Sequence, residues 1–169
     1  MSFNRGRNKN DTHSDIMFLD LRNAYNAISR NAVYRGLARY CPELLPWFIW
    51  THRTTSKLIT SSGQEVGTCY TGIKQGDPLS ALYFAVGIQD TLQAIHDKLR
   101  EEDPNGHDHT STNAYADDIK LRGDATKLLN LLPWIKQVVK EDTGLEVVPS
   151  KTQLVLSKMR RNYSNIKKN

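Results

Sequence analysis

Cysteine is nearly absent from this chain. Its two, Cys41 and Cys69, lie far apart and lack the CxxC spacing of a zinc site, which fits plain buried thiols in a reducing compartment. No apolar run approaches the roughly 20 residues of a membrane-spanning helix. The polar start MSFNRGRNKNDTHSD has no apolar core of a signal peptide. The expectation is therefore an intracellular protein, nuclear or cytoplasmic, that is neither secreted nor embedded in a membrane. Internal repeats and low-complexity segments are missing as well, which excludes solenoid and tail-like architectures. Acids are outnumbered, 18 Asp and Glu against 23 Lys and Arg, for a net charge of +5 and a pI near 9.2. A polyanionic partner suits that balance better than a cationic one.

With 169 residues, 38% of them hydrophobic, the chain can bury one core. Residues 1–14 and 157–169 are basic and poor in apolar side chains, so they read as mobile ends around an ordered domain of residues 15–156. The run Ile16 to Leu19 predicts a buried strand that ends on Asp20. Ser29 to Tyr40 predicts a helix with Ser29 as cap and Pro42 as stop, and PELLPWFIWTHR a second, short one. SKLITSSGQEVGTCY, residues 56–70, predicts a hairpin around SSGQ. Asp77 as cap and Pro78 at the first position predict a helix to about Arg100, with an apolar stripe at positions 81, 85, 88, 92, 95 and 99. A polar loop then leads to two strands flanking Asp117 and Asp118. Asp124 predicts the cap of a last helix, with Pro133 inside it and Gly144 at its end. LEVV and TQLVL predict two final strands. The fold class is α+β, helices on one face of an antiparallel sheet.

The adjacent acids in NAYADDIKL, residues 113–121, repel each other and need a compensating charge if they are to share a site. Asp20 ends one predicted strand, and Asp117 and Asp118 occupy the turn between two others, so one sheet can bring all three together. Converging carboxylates suit Mg²⁺, which takes one or two of them and completes its shell with water and phosphate oxygens. Two such ions about 4 Å apart serve in-line phosphoryl transfer, one at the attacking hydroxyl and one at the leaving oxygen. A solvated turn is the simpler account of a double aspartate taken alone.

Its neighbours alter that account. FLDLRNAYNAISR (18–30), GIKQGDPLS (72–80) and AYADDIKL (114–121), in this order, resemble motifs A, B and C of the reverse transcriptase palm. The likeness is to reverse transcriptases of non-LTR retroelements and related group II intron-type enzymes, and GLEVVPSKTQLVL (144–156) resembles their motif D. The resemblance covers roughly residues 15–156. It implies a polymerase palm with a ferredoxin-like antiparallel sheet and an RNA-directed DNA polymerase that adds deoxynucleotides (dNTPs) to a DNA primer on an RNA template. Two Mg²⁺ ions, with Mn²⁺ as a possible substitute, would act as cofactors.

By the same resemblance Asp20, the Leu21 carbonyl, Asp117 and Asp118 would hold the metal. Tyr25 matches the aromatic gate against a ribose 2′-hydroxyl, a position that tends to be acidic in RNA-dependent RNA polymerases. Gln75 and Gly76 match the motif B pair beside nucleotide and template, although Gly72 and Gly76 serve equally as turn formers. Lys151 matches a general acid for the pyrophosphate leaving group. Ser80 suits a local capping role as well as substrate contact. Arg22 and Arg30 suit either phosphate contacts or ion pairs. Trp47, Trp50 and Trp134 sit in helical apolar stripes and are expected in the core rather than stacked on bases. His107, Asp108 and His109 are expected to be solvated loop residues rather than metal ligands. About 14 residues precede the motif A strand and about 13 follow motif D. Fingers and thumb would then come from a longer chain or another subunit. The alternative is a non-catalytic nucleic-acid-binding module, or a relic, that keeps the palm as scaffold. A nucleotidyl cyclase on a palm-like fold fits less well, since QGDPLS opens a helix and no GGDEF-type signature is present.

Overall fold

The computed structural model describes residues 14–104 and 110–157. Four strands form one sheet in the order β4-β5-β1-β6: β1 Asp15–Leu19, β4 Ser111–Tyr115, β5 Asp118–Gly123 and β6 Gln153–Val155. All neighbours are antiparallel. A separate hairpin pairs β2 (Ser56–Ile59) with β3 (Glu65–Cys69). The helices are α1 Ala24–Ala27, α2 Arg30–Tyr40, α3 Leu45–His52, α4 Ser80–Glu102 and α5 Ala125–Thr143. Stripped of α1 to α3 and the hairpin, the path is β-α-β-β-α-β, the ferredoxin-like arrangement that the motifs implied.

Alternation fixes which side of the sheet is covered. Met17 and Leu19 of β1 and Ile119 and Leu121 of β5 are buried, while Phe18, Lys120 and Asp118 take the other face. α4 and α5 cover the apolar face, and α2 packs on α4. Fully buried Tyr83, Phe84, Ile95, Leu128 and Ile135 join these helices to the strands, each contributing about 1.5–3 kcal/mol of transfer free energy. The contact between α2 and α4 depends on Gly36, where a Cβ would lie 2.1 Å from the Val86 carbonyl oxygen.

Local chemistry shifts several predicted boundaries. α4 begins at Ser80, not at Pro78, because Asp77 caps a tight turn ahead of it: its Oδ1 accepts from the Leu79 N–H at 2.8 Å, and its carbonyl accepts from the Ser80 N–H at 3.0 Å. The buried stripe of α4 runs through Tyr83, Phe84, Ile88, Thr91, Ile95 and Leu99, whereas Ala81 and Ala85 are exposed. Ser29 precedes α2 but caps it with its backbone carbonyl, which accepts from Ala32 and Val33, and not with its hydroxyl. LEVV forms no strand; one bridge joins Leu21 to Val147, flanked by bonds from Arg22 N–H to the Glu146 carbonyl and from Val148 N–H to the Asp20 carbonyl. Asp124 does cap α5, accepting from the Thr126 and Lys127 N–H groups, and α5 continues through Pro133 to Gly144 at φ 75°. Cys41 and Cys69 are free and half-buried.

Trp134 packs against the core as expected, but Trp47 and Trp50 do not: they are 51% and 63% exposed. Nearly every residue of LPWFIWTH is apolar or aromatic, so periodicity could not say which side turns inward. Phe48 and His52 do, stacked at 4.5 Å, with Tyr83 edge-on to His52 at 5.7 Å.

Two consequences are measurable. Gly36→Ala should lower stability by about 1–3 kcal/mol or more in a denaturant melt, since backbone and not a movable side chain meets the new methyl. His52 is buried, and burial lowers its pKa; Arg30 and Lys74 nearby push the same way, while the Phe48 carbonyl and Asp77 oppose. The unfolded chain then binds the proton more readily, so this residue's contribution is fully present above its ordinary pKa of about 6.5 and is lost as pH falls below it. His52→Phe should flatten the drop in Tm on going from pH 7.5 to 5; an unchanged drop would reject the assignment.

Candidate active site

β1 delivers Asp20 to the site. The register Leu19↔Ile119 carries the chain one step on to Asp20 beside Asp118, the first residue of β5, and alternation puts both on the uncovered face. Tyr115 pairs with Asp118, so Ala116 and Asp117 form a two-residue hairpin loop. Ala116 has φ 53° and Asp117 is not in the positive region, the pattern of a type II′ turn with alanine where glycine is usual. The turn presents both aspartates to solvent; neither carboxylate has a hydrogen bond or ion pair among the described residues.

Asp20 differs from them. Its Oδ2 is buried without a hydrogen-bond partner, and its nearest cation is Lys151 Nζ at 3.4 Å, an ion pair from the turn Pro149–Lys151. The bond from Val148 N–H to the Asp20 carbonyl brings that turn alongside the acid. The Leu21 carbonyl accepts no backbone hydrogen bond among the described residues. A buried, under-satisfied carboxylate oxygen, a free carbonyl and two exposed carboxylates form an oxygen donor set that suits a hard divalent cation. Among the described residues no three His, Cys, Asp or Glu side chains already converge on one point. Mg²⁺ does not need them to, because water and phosphate oxygens complete its shell.

Tyr25, on α1, stacks on Phe84 of α4 with ring centroids 5.0 Å apart and 16° between planes. It lines a cleft of roughly 260 Å³ whose other walls are Ala81, Ala85 and Gln89 of α4 and Ala114 to Ala116 of the β4/β5 hairpin. Gln89 was not singled out in the sequence, and Ala81 and Ala85 were read as members of the buried stripe; the signal was the i, i+4, i+8 spacing 81, 85, 89 beside that stripe. The motif B segment is strapped to α1: Ile73 N–H donates to the Tyr25 carbonyl at 2.8 Å and Gly72 N–H to the Ile28 carbonyl at 2.9 Å. Gly72 is obligatory, at φ +77° with Asn26 backbone 2.3 Å from any added Cβ. Gln75 and Gly76 project beyond this strap, both exposed, and Gly76 at φ +89° has open space around it.

The two arginines have structural partners. Arg30 donates to the carbonyls of Gly72, His52 and Thr54, tying α2 to α3 and the motif B segment. Arg22 pairs with Glu146 at 3.5 Å, and Glu146, with Lys140 and Arg22 beside it, has its pKa lowered. Ser80 is buried and its hydroxyl donates to the Lys74 carbonyl, a local role. His107, Asp108 and His109 lie outside the described residues.

Comparison with known proteins agrees with this architecture. The family described as "Reverse transcriptase (RNA-dependent DNA polymerase)" matches residues 2–167. A curated relative, the retrotransposable element SLACS 132 kDa protein of Trypanosoma brucei gambiense, is 31% identical over 134 residues, which takes in 71% of this chain and 10% of that protein. The structure of Candida tropicalis telomerase in complex with a TWJ fragment of telomeric RNA superposes with a TM-score of 0.61 at 16% identity, over 89% of this chain and 27% of that one. Candida albicans telomerase with the same type of RNA fragment gives 0.57 at 13% identity, over 86% and 28%. These structural likenesses concern the fold, and the chain spans a small part of each relative.

The strained turn carries its own test. Ala116→Gly should leave stability unchanged or raise it by up to about 1 kcal/mol, whereas Ala116→Val, β-branched at positive φ, should cost about 1–3 kcal/mol. Equal melts for the two variants would contradict the turn geometry.

Proposed function

Since the chain belongs to the reverse transcriptase (RNA-dependent DNA polymerase) family, we propose that it is the palm of an enzyme that extends a primer 3′-hydroxyl with deoxynucleotides on an RNA template. The observation that carries this reading is the β1/β5 register, which brings Asp20, with its under-satisfied Oδ2, beside the Asp117 and Asp118 turn. Divalent cations, Mg²⁺ with Mn²⁺ as a possible substitute, would be held by Asp20, the Leu21 carbonyl, Asp117 and Asp118; when bound they supply a lowered pKa at the primer hydroxyl and charge neutralisation at the triphosphate.

The chain's own residues set the rest. Tyr25 is held by Phe84, so its ring forms a fixed wall of the cleft next to the Ala114 to Ala116 segment. A sugar seated there with a 2′-hydroxyl would meet that wall, which favours deoxyribose. Gln75 offers an amide and Gly76 an unobstructed backbone for nucleotide or template. Lys151 pairs with Asp20 and would serve as the general acid toward the departing pyrophosphate. Fingers and thumb, from a longer chain or another subunit, would hold primer and template; the chain spans 10% of its retrotransposon relative.

Primer extension on an RNA template, by this chain joined to fingers and thumb where required, should fall about 10³-fold or more in Asp117→Ala, because charge stabilisation worth several kcal/mol is lost. Undiminished extension would overturn the proposal. Salt-dependent RNA binding with no incorporation by the unmutated chain would favour a non-catalytic module instead. Tyr25→Ala should raise ribonucleotide incorporation relative to deoxyribonucleotide by roughly 10- to 200-fold, the range for removing a steric contact; an unchanged ratio would reject the gate.

A further inference from the structure

The polymerase reading leaves one exposed feature unused, the outer face of α3. Trp47, Trp50 and Arg53 follow one another at every third residue from α3 to its C-cap, on one side of the helix. Phe48 and His52 take the buried side. The two indoles are half or more exposed, with ring centroids 5.0 Å apart and planes tilted by 40°, so they are splayed and their outer faces stay open. Trp47 forms one wall of an open cleft of roughly 550 Å³; Lys74, Gln75, Pro78 and Leu79 of the motif B segment form the opposite wall. Neither Arg53 nor Lys74 has an ion-pair partner among the described residues. Asp77 lines the same cleft, with its Oδ1 occupied by the Leu79 N–H.

We propose that this face is a stacking platform for single-stranded RNA, the template strand approaching the motif B segment. The strand's identity as template rests on the polymerase reading; the platform itself does not. Two indoles offer π-faces to successive bases, and cations at the helix end and across the cleft meet the phosphates between them, the combination that single-stranded nucleic acid requires. A protein partner is the poorer occupant. On α3 the exposed large apolar residues are the two indoles and Ile49, while the aliphatics Leu58, Ile59 and Val66 belong to the β2/β3 hairpin.

The test uses the 169-residue chain and an unstructured oligouridine. Tryptophan fluorescence should be quenched on titration, with core-packed Trp134 as the unresponsive background. Trp47→Leu with Trp50→Leu should abolish the quenching and weaken binding by about 5- to 100-fold, the range for losing one or two base stacks. Trp47→Phe with Trp50→Phe should recover part of the affinity. Arg53→Gln with Lys74→Gln should reduce the salt dependence of binding. A double leucine variant with a wild-type melt and unchanged RNA affinity would overturn the proposal. So would loss of self-association in that variant with RNA binding intact, which would make the face a protein contact. The readout needs no metal and no turnover: failure here leaves primer extension untouched, and failure of primer extension with quenching retained leaves the platform standing.

Discussion

The antiparallel pairing of β1 with β5 is the constraint from which the rest follows. One register, Leu19↔Ile119, settles two things at once: which side chains enter the core and which carboxylates meet at the end of the sheet. Because side chains alternate along a strand, slipping β1 by one residue against β5 would turn Met17 and Leu19 to solvent as it turned Asp20 inward. Core burial therefore enforces the alignment of the acids. The repulsion between like charges at the sheet end is paid for by the apolar face beneath it, and Lys151 at 3.4 Å from Asp20 relieves part of that repulsion.

A second constraint works away from the sheet. The backbone bonds from Gly72 and Ile73 to the end of α1 bind the motif B segment to the helix carrying Tyr25, and the Arg30 guanidinium on three carbonyls ties the same segment to α2 and α3. Gly72 permits that approach, and Phe84 fixes the ring from the other side. The small side chains of Ala81 and Ala85 then leave a cleft between Tyr25 and the Tyr115–Ala116 corner. Tyr25, the turn and the acids are thus set by backbone bonds and ring stacking more than by ion pairs, which at exposed sites contribute little.

Much of this was legible in the sequence. The strand ending on Asp20, the hairpin around Asp117 and Asp118, and the helix capped by Asp124 each carry a local signal strong enough to stand alone. The misreadings have separate physical causes. On α3 almost every position is apolar, so the pattern contained no phase, and the two indoles were assigned to a core that Phe48 and His52 fill. On α4 the alanines at 81 and 85 matched an apolar period but lie on the cleft, since periodicity counts apolar residues without weighing their size. Arg30 was read as a phosphate contact or an ion-pair partner, and its role on three main-chain carbonyls depends on a tertiary approach that no local pattern encodes. The candidate site residues followed from the order of four motifs, whereas the Asp20 Oδ2, buried without a hydrogen bond and paired with Lys151, is visible only once the fold is in place.

The proposed divalent-cation site draws its ligands from two strands joined by this pairing. Titrating Mn²⁺ into isotope-labelled protein and following paramagnetic broadening of backbone amide resonances tests it without substrate or turnover. Broadening should be selective for residues 20–22 and 116–119, abolished together by Asp20→Asn and reversed by excess Mg²⁺. Broadening confined to another region, or loss at one strand with retention at the other in Asp20→Asn, would contradict it.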